Sequence, residues 1–522
     1  MKGKRTKRPQ YETIASTVVR GEGSVRAAFE PRREEKKPDS DPPEDFSRSE
    51  KTAVESDKFD LLQTQSENKN FRVTMDSSSQ ETTKSQKRFE KDKRRLGKDH
   101  WLARNGHSLT HIGIFLFTLV LYFRPYELIP ALSGFHSIAL IFAVATLLIY
   151  LPSQFTLEGN FTALPTEVKC VLFMTAWALL SIPLAKSPGL AWETFNDTFI
   201  KVILMFIIMA NTLRTKTRLK GLMWLGIGIG VMLSFQALSL YEKGEFKTEG
   251  YRVSVDFGGM FGNPNDMAIH LVIFIPIAIA LGASSKNMLA KLAYFVSAAL
   301  MVAGSLVTQS RGAFLGMVAV SSVLVWKLGR NQRFKSVVIA GVVGVLVLLT
   351  APGNYGLRVA SIFIPSLDPV GSSDQRTDLL IRSIWVTLRN PQGIGIGNFE
   401  IVGNHNLGTH NGFTQVSSEL GWLSFAAYLI LLLSPFRKLG SIERRMFEKR
   451  DFSWMYYLSV GIQASIAGFM AASFFSSVAY HWYVYYPIAY AIGIRRIYQL
   501  GQEEKTASPT ASLRQDLEIR HA

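Results

Sequence analysis

The chain has 522 residues, of which 47% are hydrophobic and 19% charged, and its formal net charge is +17. Residues 1–105 hold 25 of the 58 lysines and arginines and 19 of the 41 acidic residues, so the rest of the chain is much more apolar. Successive apolar stretches of about 20 residues are not expected of a single globular domain or of a soluble multidomain enzyme. The single cysteine, Cys170, excludes an intramolecular disulfide framework and a cysteine-rich metal site.

The N-terminal segment, residues 1–105, is predicted to be a disordered cytoplasmic tail. Its basic start leads into no apolar run, so no secretory signal peptide is predicted. Residues 31–85 are too polar to bury the surface that would offset the entropy of ordering. A basic cluster at 88–98 is expected to meet anionic lipid headgroups, each cation contributing about 1 kcal/mol. Few aromatic residues interleave with the charges, so nucleic acid is not an expected partner.

Residues 106–500 are predicted to form an all-α polytopic membrane domain of about 12 transmembrane helices, followed by a cytoplasmic C-terminal tail at 501–522. Helices are expected because apolar runs of 17 to 25 residues can satisfy their backbone polar groups in lipid only as helices. The twelve apolar segments are centred near Phe117, Ala143, Thr175, Met205, Gly228, Phe274, Leu300, Ala319, Gly344, Tyr428, Ala464 and Tyr486.

Charge in the connections predicts how these helices are oriented. Lysine and arginine favour the cytoplasmic side of short loops. With the tail inside, every second connection is basic, and the main basic clusters lie at 214–220, 286–291, 327–335, 437–450 and 495–496. Both termini are therefore predicted to be cytoplasmic. The two longest connections, 241–265 and 352–412, are predicted to lie on the outer side.

Arg311 lies between two apolar segments with almost no loop, in the sequence LVTQSRGAFLG at 306–316. An arginine at the edge of a helical bundle is costly and usually faces a cavity or a partner. Its planar guanidinium suits a phosphate or diphosphate. The alternative is an arginine that extends to the interface or pairs with a nearby carboxylate.

The sequence FGGMFGNPNDMAIH at 257–270 leads into the sixth apolar segment through a turn. Asn265 or Asp266 is expected to cap this helix, next to Pro264. Free N–H groups at a helix N-terminus attract anions, so a ligand-binding role is the alternative.

The long outer connection is expected to contain an amphipathic helix packed on the bundle. Leu, Ile, Trp and Val follow a helical spacing from Thr377 to Leu388, and Arg376, Arg382 and Arg389 lie on or beside this segment.

His410 and Asn411 stand where the chain re-enters the predicted bundle. A neutral imidazole there could act as a general base near pH 7, although a structural role is the alternative. The glycine-rich GIGIGNF at 393–399 lacks the strand–turn–helix context of a dinucleotide fold, so we predict a turn.

Four strings together resemble the O-antigen ligase and polymerase family of bacterial membrane glycosyltransferases: GNPNDMA, TQSRGAFLG, the R-x8-W…NPxGxGxGNF stretch and THNGFTQVSSELGWLS. The similarity spans about 121–494 and is strongest from 257 to 428. RGAFL is similar to the family's Arg-x3-Leu motif, ending at Leu315. His410, Asn411, nine residues and then Gly421 resemble its His-Asn-x9-Gly motif.

Two further features bear on the subfamily. The position three residues after Gly421, usually Gly, Thr or Tyr in ligases, is Ser424 here. RPYELIPAL at 124–132 is similar to ligase-like proteins associated with exosortase systems.

The resemblance implies transfer of a glycan from undecaprenyl diphosphate to an acceptor hydroxyl on a glycan, lipid or protein, at the periplasmic face of the bacterial inner membrane. It implies no nucleotide sugar, cofactor or metal. His410 would be the catalytic base, and Arg311, Arg376 and Arg382 would bind the diphosphate. Supporting roles would fall to Asn263, Asn265, Asp266 and Asn411.

Three alternatives stay open. Ligase and polymerase are not separated by the sequence. A twelve-span secondary transporter is the rival class, although no repeat between the halves is visible and the polar groups gather on the outer side. A catalytically silent scaffold is the third.

Overall fold

The computed structural model describes residues 101–123, 138–246, 248–255, 261–353, 355–362, 364–367, 372–403 and 407–520. The predicted disorder of the tail up to residue 100 and the RPYELIPAL stretch lie outside these ranges. Within them the chain is helical and contains no strand, which confirms the all-α fold class.

The α-helices are named here in chain order. They are α1 (Trp101–Phe123), α2 (Ile138–Glu158), α3 (Thr166–Ser181), α4 (Pro188–Thr194), α5 (Ile200–Thr212), α6 (Lys216–Glu242), α7 (Pro264–Ser284), α8 (Met288–Val307), α9 (Arg311–Leu328), α10 (Arg333–Leu349), α11 (Tyr355–Ala360), α12 (Ser372–Arg389), α13 (Phe399–Val402), α14 (Gly412–Glu419), α15 (Gly421–Glu448), α16 (Trp454–Ala472) and α17 (Tyr485–Arg520). A π-helical turn, Phe195–Phe199, joins α4 to α5, and 3-10 turns occupy Ile182–Leu184, Pro365–Leu367 and Ser473–Phe475.

Nine of the described helical segments are long and apolar enough to cross a membrane. They are Gly106–Phe123, Ile138–Thr156, Thr166–Leu184, Lys216–Glu242, Pro264–Ser284, Met288–Val307, Arg311–Leu328, Gly421–Glu448 and Trp454–Phe475. The other three predicted centres also lie in helices, α5, α10 and α17, but α5 has 13 residues and α10 has 17. A polytopic helical protein is therefore observed, and the count of twelve spans stays a prediction.

The centre of the bundle brings α9 close to α16, and glycine makes this approach possible. A Cβ atom added at Gly316 would lie 2.9 Å from the carbonyl oxygen of Gly468 and 2.9 Å from a methyl carbon of Val272. Small residues allow such close packing of helices in membranes. The contact holds the N-terminus of α9, and with it Arg311, beside the end of α16.

An ion-pair network ties the helices together at the end of the bundle away from Arg311. Lys327 lies sixteen residues after Arg311 on α9, about 24 Å along the axis, and contacts Glu443 at 2.5 Å. Two further glutamates, Glu167 and Glu158, are connected to it through α15 and α17. Their partners are Lys438 at 2.9 Å and Arg495 at 3.6 Å for Glu167, and Arg214 at 2.8 Å and Arg496 for Glu158.

The basic residues of this network come from four of the five basic clusters that the sequence predicts to be cytoplasmic. They meet at one end of the bundle, as alternating connections require. The side of the membrane that this end faces stays a prediction.

Candidate active site

A cavity of about 330 Å³ opens at the N-terminal ends of α7 and α12, at the same end of the bundle as Arg311. Residues from both long connections, 241–265 and 352–412, converge on it. Its lining consists of Thr248, Glu249, Arg252, Gly262, Asn263, Pro264, Asn265, Gln375, Arg376 and His410. Nearly all of these side chains are polar, so the cavity is suited to a charged or highly hydroxylated ligand.

Arg252 is buried at the base of the cavity and fixed by three partners. Its guanidinium donates to the Thr308 carbonyl oxygen at 3.0 Å and to Asn265 Oδ1 at 2.7 Å, and it pairs with Glu249 at 3.3 Å. Asn265 Oδ1 also accepts from the Ser310 hydroxyl at 2.9 Å. Burial lowers the pKa of Arg252, and Glu249 partly offsets this effect. The network links the turn before α7 to the turn before α9.

Arg358 reaches the same glutamate from α11. Its Nη1 lies 3.0 Å from Glu249 Oε2, and its Nε donates to the Gln309 carbonyl oxygen at 2.8 Å. The guanidinium also stacks over the Tyr251 ring and bonds the Tyr251 hydroxyl. Glu249 thus holds two buried arginines of different connections beside the cavity.

Arg376 and Arg311 complete a cluster of four arginines. Arg376 lies on α12, faces the cavity and stacks on the Phe475 ring at 5.9 Å. Arg311 is the first residue of α9 and is 4% exposed. Burial, and next the charges of Arg252, Arg311 and Arg358, lower the pKa of Arg376 to about 10. Arg376 nevertheless stays protonated at neutral pH, so the cavity offers a concentrated positive charge to an anion.

His410 also lines the cavity, in a constrained backbone conformation. Its φ of 49° lies in the left-handed region, which a residue with a side chain adopts only when its surroundings enforce it. The neighbouring Thr409 hydroxyl donates to the Asn411 carbonyl oxygen at 2.9 Å and lies 3.0 Å from Ser477 Oγ. Burial, and next the Arg376 charge, lower the pKa of His410 below its usual 6.5. The imidazole is therefore neutral near pH 7 and able to accept a proton.

The predicted supporting residues have mainly structural positions around the cavity. Asn411 caps α14 by accepting from the Phe413 and Thr414 N–H groups, at 2.9 and 3.2 Å. Asn263 is the N-cap of α7, accepting from the Asn265 N–H at 2.9 Å, so the expected cap at Asn265 or Asp266 was wrong.

The reason for this shift is Pro264. Proline is favoured at the first helical position, which makes the residue before it the cap. Asn265 is thereby left to bind Arg252, and Asp266 accepts from the Ser476 hydroxyl at 3.1 Å outside the cavity lining.

Arg382 is not brought to the cavity. It is exposed on α12 and is absent from the lining residues. Six residues at 100° each place it about 240° around the helix from Arg376. Of the three arginines predicted to bind diphosphate, the structure groups Arg311 and Arg376 and separates Arg382.

The sequence-based prediction missed Glu249, Arg252 and Arg358. One signal could have found the two arginines: both lie in connections predicted to be on the outer side, where basic residues are otherwise disfavoured. Their position beside the cavity accounts for these two cations on the predicted outer side.

The glycine-rich GIGIGNF segment forms a turn, as predicted, and rests on Glu419 at the end of α14. Gly393, Gly395 and Gly397 all have positive φ, from 72° to 102°. The buried Glu419 carboxylate accepts from the Gly397 N–H at 2.9 Å and the Phe399 N–H at 3.4 Å. Burial raises the pKa of Glu419 to about 7. The turn fixes the far end of the helix that His410 precedes.

These features define a class: a helical membrane protein with a cation-lined cavity and a neutral histidine at one end of the bundle. Residues 296–429 match the family model described as O-antigen ligase, so this part of the chain is similar to that family. The matched segment contains Arg311, Arg358, Arg376 and His410. No curated protein matches the chain at a significant level. This similarity suggests a membrane enzyme that transfers glycans.

Proposed function

We propose that the protein transfers or polymerises a glycan from undecaprenyl diphosphate to an acceptor hydroxyl, at the periplasmic face of the bacterial inner membrane. The observation that carries this proposal is the convergence of Arg252, Arg311, Arg358 and Arg376 beside the neutral His410. A diphosphate needs several cations, and an acceptor hydroxyl needs a base.

In the proposed reaction His410 accepts the proton of the acceptor hydroxyl. The acceptor oxygen attacks the anomeric carbon of the glycan, and the bond from that carbon to the diphosphate oxygen breaks. The bonding electron pair leaves with undecaprenyl diphosphate, and the proton remains on the imidazole until it passes to water. General base catalysis of this kind contributes about 10²- to 10⁴-fold in rate.

The arginines have the second role, because negative charge grows on the leaving diphosphate. Arg376 faces the cavity and is the group best placed to contact it. Arg252, fixed through Asn265 and Thr308, is held in place before the ligand arrives. Preorganised donors stabilise developing charge without the cost of reorientation in the reaction. The proposed diphosphate site therefore includes Arg252 and Arg358 and does not include Arg382.

The lipid-linked donor accounts for the position of the cavity at the end of a membrane bundle. The polyprenyl chain remains in lipid while the diphosphate reaches the arginines, and the glycan extends into water. Both termini are proposed to be cytoplasmic, with the cavity on the opposite, periplasmic side, and membrane lipids surround the domain. No cofactor or metal is included in the proposed reaction.

The test is a profile of surface glycans and lipid-linked glycans in a deletion strain complemented with wild type, His410→Ala or His481→Gln at matched membrane levels. His481 is a second histidine outside the cavity lining and serves as the control. We expect wild type and His481→Gln to restore the surface glycan and His410→Ala to fail. Long chains accumulated on undecaprenyl diphosphate would indicate a ligase, and single repeat units a polymerase.

Full complementation by His410→Ala would overturn the proposed base and would favour a transporter or a scaffold. Failure of His481→Gln as well would show that the loss reflects folding, which membrane level and thermal stability of each variant would report.

A further inference from the structure

The helix that carries Arg376 has an apolar stripe that faces away from the protein. Ile381, Ile384, Trp385 and Leu388 follow the spacing i, i+3, i+4, i+7 on α12 and lie on one face. Their exposed fractions are 50%, 45%, 56% and 54%. Four large apolar side chains on one exposed face of a helix form a patch that indicates a binding surface.

The opposite face of α12 is the one that packs on the protein. Leu379 is fully buried, with Val386 packed in the same cluster, and the Thr387 hydroxyl lies 3.0 Å from Ser417 Oγ on α14. Arg376 belongs to this inner face and lines the cavity. The stripe is therefore not needed to hold α12 in place. The expected packing of the amphipathic helix on the bundle is confirmed only for its inner face.

The C-terminal end of α12 and the turn after it contact two membrane-spanning helices. Trp422, the second residue of the span Gly421–Glu448, is 52% exposed, and its indole N–H donates to the Thr387 carbonyl oxygen at 3.1 Å. Trp177, in the span Thr166–Leu184, donates to the Gln392 carbonyl oxygen at 3.3 Å. Tryptophans at span ends mark the membrane interface. The C-terminal end of α12 is thus fixed at the level where these spans leave the lipid.

The first half of the same helix face is polar. At 100° per residue, Asp378 and Asp374 lie within about 60° of Ile381 around the axis, about one and two turns, respectively, towards the N-terminus. Both are exposed. One face therefore changes from acidic to apolar along its length, as a helix that enters an interface at an angle requires.

We infer that the C-terminal half of α12 is an interfacial membrane anchor, with Ile381, Ile384, Trp385 and Leu388 inserted among lipid acyl chains beside the cavity. The partner is the bilayer in which the spans lie. Amphipathic helices bind such interfaces through the apolar area they bury. The anchor fixes the outer side of α12 in lipid and presents Arg376 to the cavity from the other side.

Spin-label accessibility in the full-length protein tests this inference. Cys170→Ala removes the only natural cysteine, and single cysteines are then introduced by Ile384→Cys and Leu388→Cys. Asp374→Cys and Asp378→Cys are matched controls on the same helix face, and Leu292→Cys, exposed on α8, is the lipid reference. Each labelled protein is reconstituted in vesicles of phosphatidylethanolamine and phosphatidylglycerol, and its collision rates with oxygen and with a water-soluble nickel chelate are measured.

We expect the oxygen-to-nickel ratio to rise along the helix and to be several-fold higher at 384 and 388 than at 374 and 378, approaching the value at 292. Equal nickel accessibility at all four positions on α12 would overturn the inference, because the stripe would then face water. Low accessibility to both reagents with spin–spin broadening would also overturn it, because a second copy of the chain would cover the stripe.

Discussion

The two ends of the bundle balance their basic side chains in different ways. In the ion-pair network each of three glutamates contacts two basic residues directly, and Glu443 and Glu167 are buried. At the cavity, Glu249 contacts Arg252 and Arg358, whereas within the described ranges no carboxylate lies within 4 Å of the Arg376 guanidinium. One end satisfies its charges within the protein, and the other leaves a cation facing an open cavity.

This difference indicates that the ion-pair network stabilises the fold and that the arginines at the cavity serve ligand binding. Direct ion pairs between distant helices hold α3, α9, α15 and α17 in register, and their removal should affect folding. Burial, and next the neighbouring arginine charges, disfavour the protonated form of Arg376, as its lowered pKa indicates. An anionic ligand offsets that cost on binding, so removal of Arg376 should affect the ligand and leave folding largely intact.

Of the changes that compare the two ends, Arg376→Ala is expected to have the largest effect, a loss of glycan transfer. Loss of one charge-assisted hydrogen bond to the diphosphate, about 1.5–3 kcal/mol, should lower kcat/KM about 10- to 100-fold. Arg376→Lys should retain part of the activity, because it keeps the charge and loses the planar fork. The measurement is the initial rate of glycan transfer from the lipid-linked donor in proteoliposomes.

Arg382→Ala is the matched control on the same helix. It should leave kcat/KM close to wild type because Arg382 is exposed and outside the cavity. An equal loss in both variants would mean that the donor binds along the outer face of α12 and that the cavity assignment is wrong.

The second-largest effect is a loss of protein stability on changing the ion-pair network at the end of the bundle away from the cavity. Glu443→Gln removes the partner of Lys327 and Arg330, which contact it at 2.5 Å each. Both cations retain some access to water, with 18% and 20% of their side-chain surface exposed, so we expect a loss of about 2 kcal/mol in the free energy of unfolding. Denaturant unfolding in detergent measures it, with transfer per folded molecule expected to be unchanged.

Glu448→Gln, five residues further along α15 and exposed, is the control and should have almost no effect on stability. If Glu443→Gln abolished transfer in protein that remains folded, the two ends would be coupled, and their separation into structure and function would fail.

The smallest effect is on pH dependence. A base must be deprotonated to act, and the pKa of His410 is lowered from 6.5, so kcat/KM should be constant near neutral pH and fall on the acidic side below 6.5. The Arg376 charge contributes to this lowering. Arg376→Gln should therefore move the acidic limb of the profile upward towards 6.5, and Arg382→Gln should leave it in place. A limb that moves downward, or not at all, in Arg376→Gln would contradict the electrostatic effect of Arg376 on His410.

The sequence predicted those features that depend on local pattern. All twelve apolar centres lie in helices, and α9 begins at Arg311 directly after a short turn. The separation of Arg376 and Arg382 on α12 could also have been predicted, because a spacing of six residues does not place them on one face of a helix. The cap at Asn263 likewise follows from Pro264, although Asn265 or Asp266 was expected.

Other features depend on contacts across space that a single sequence does not contain. Glu249 is three residues from Arg252 but more than one hundred from Arg358, and only the fold joins them. The apolar stripe of α12 has the same periodicity whether it meets protein or lipid. The position of Glu419 against the glycine turn has no local signature either.

The most direct test of the account is the affinity of the purified full-length protein for undecaprenyl diphosphate, measured by native mass spectrometry from lipid nanodiscs. Wild type, Arg376→Ala and Glu443→Gln would be compared. We expect Arg376→Ala to weaken binding about 10-fold or more, and Glu443→Gln to bind as wild type does. Wild-type affinity in Arg376→Ala would contradict the assignment of the cavity to the donor diphosphate.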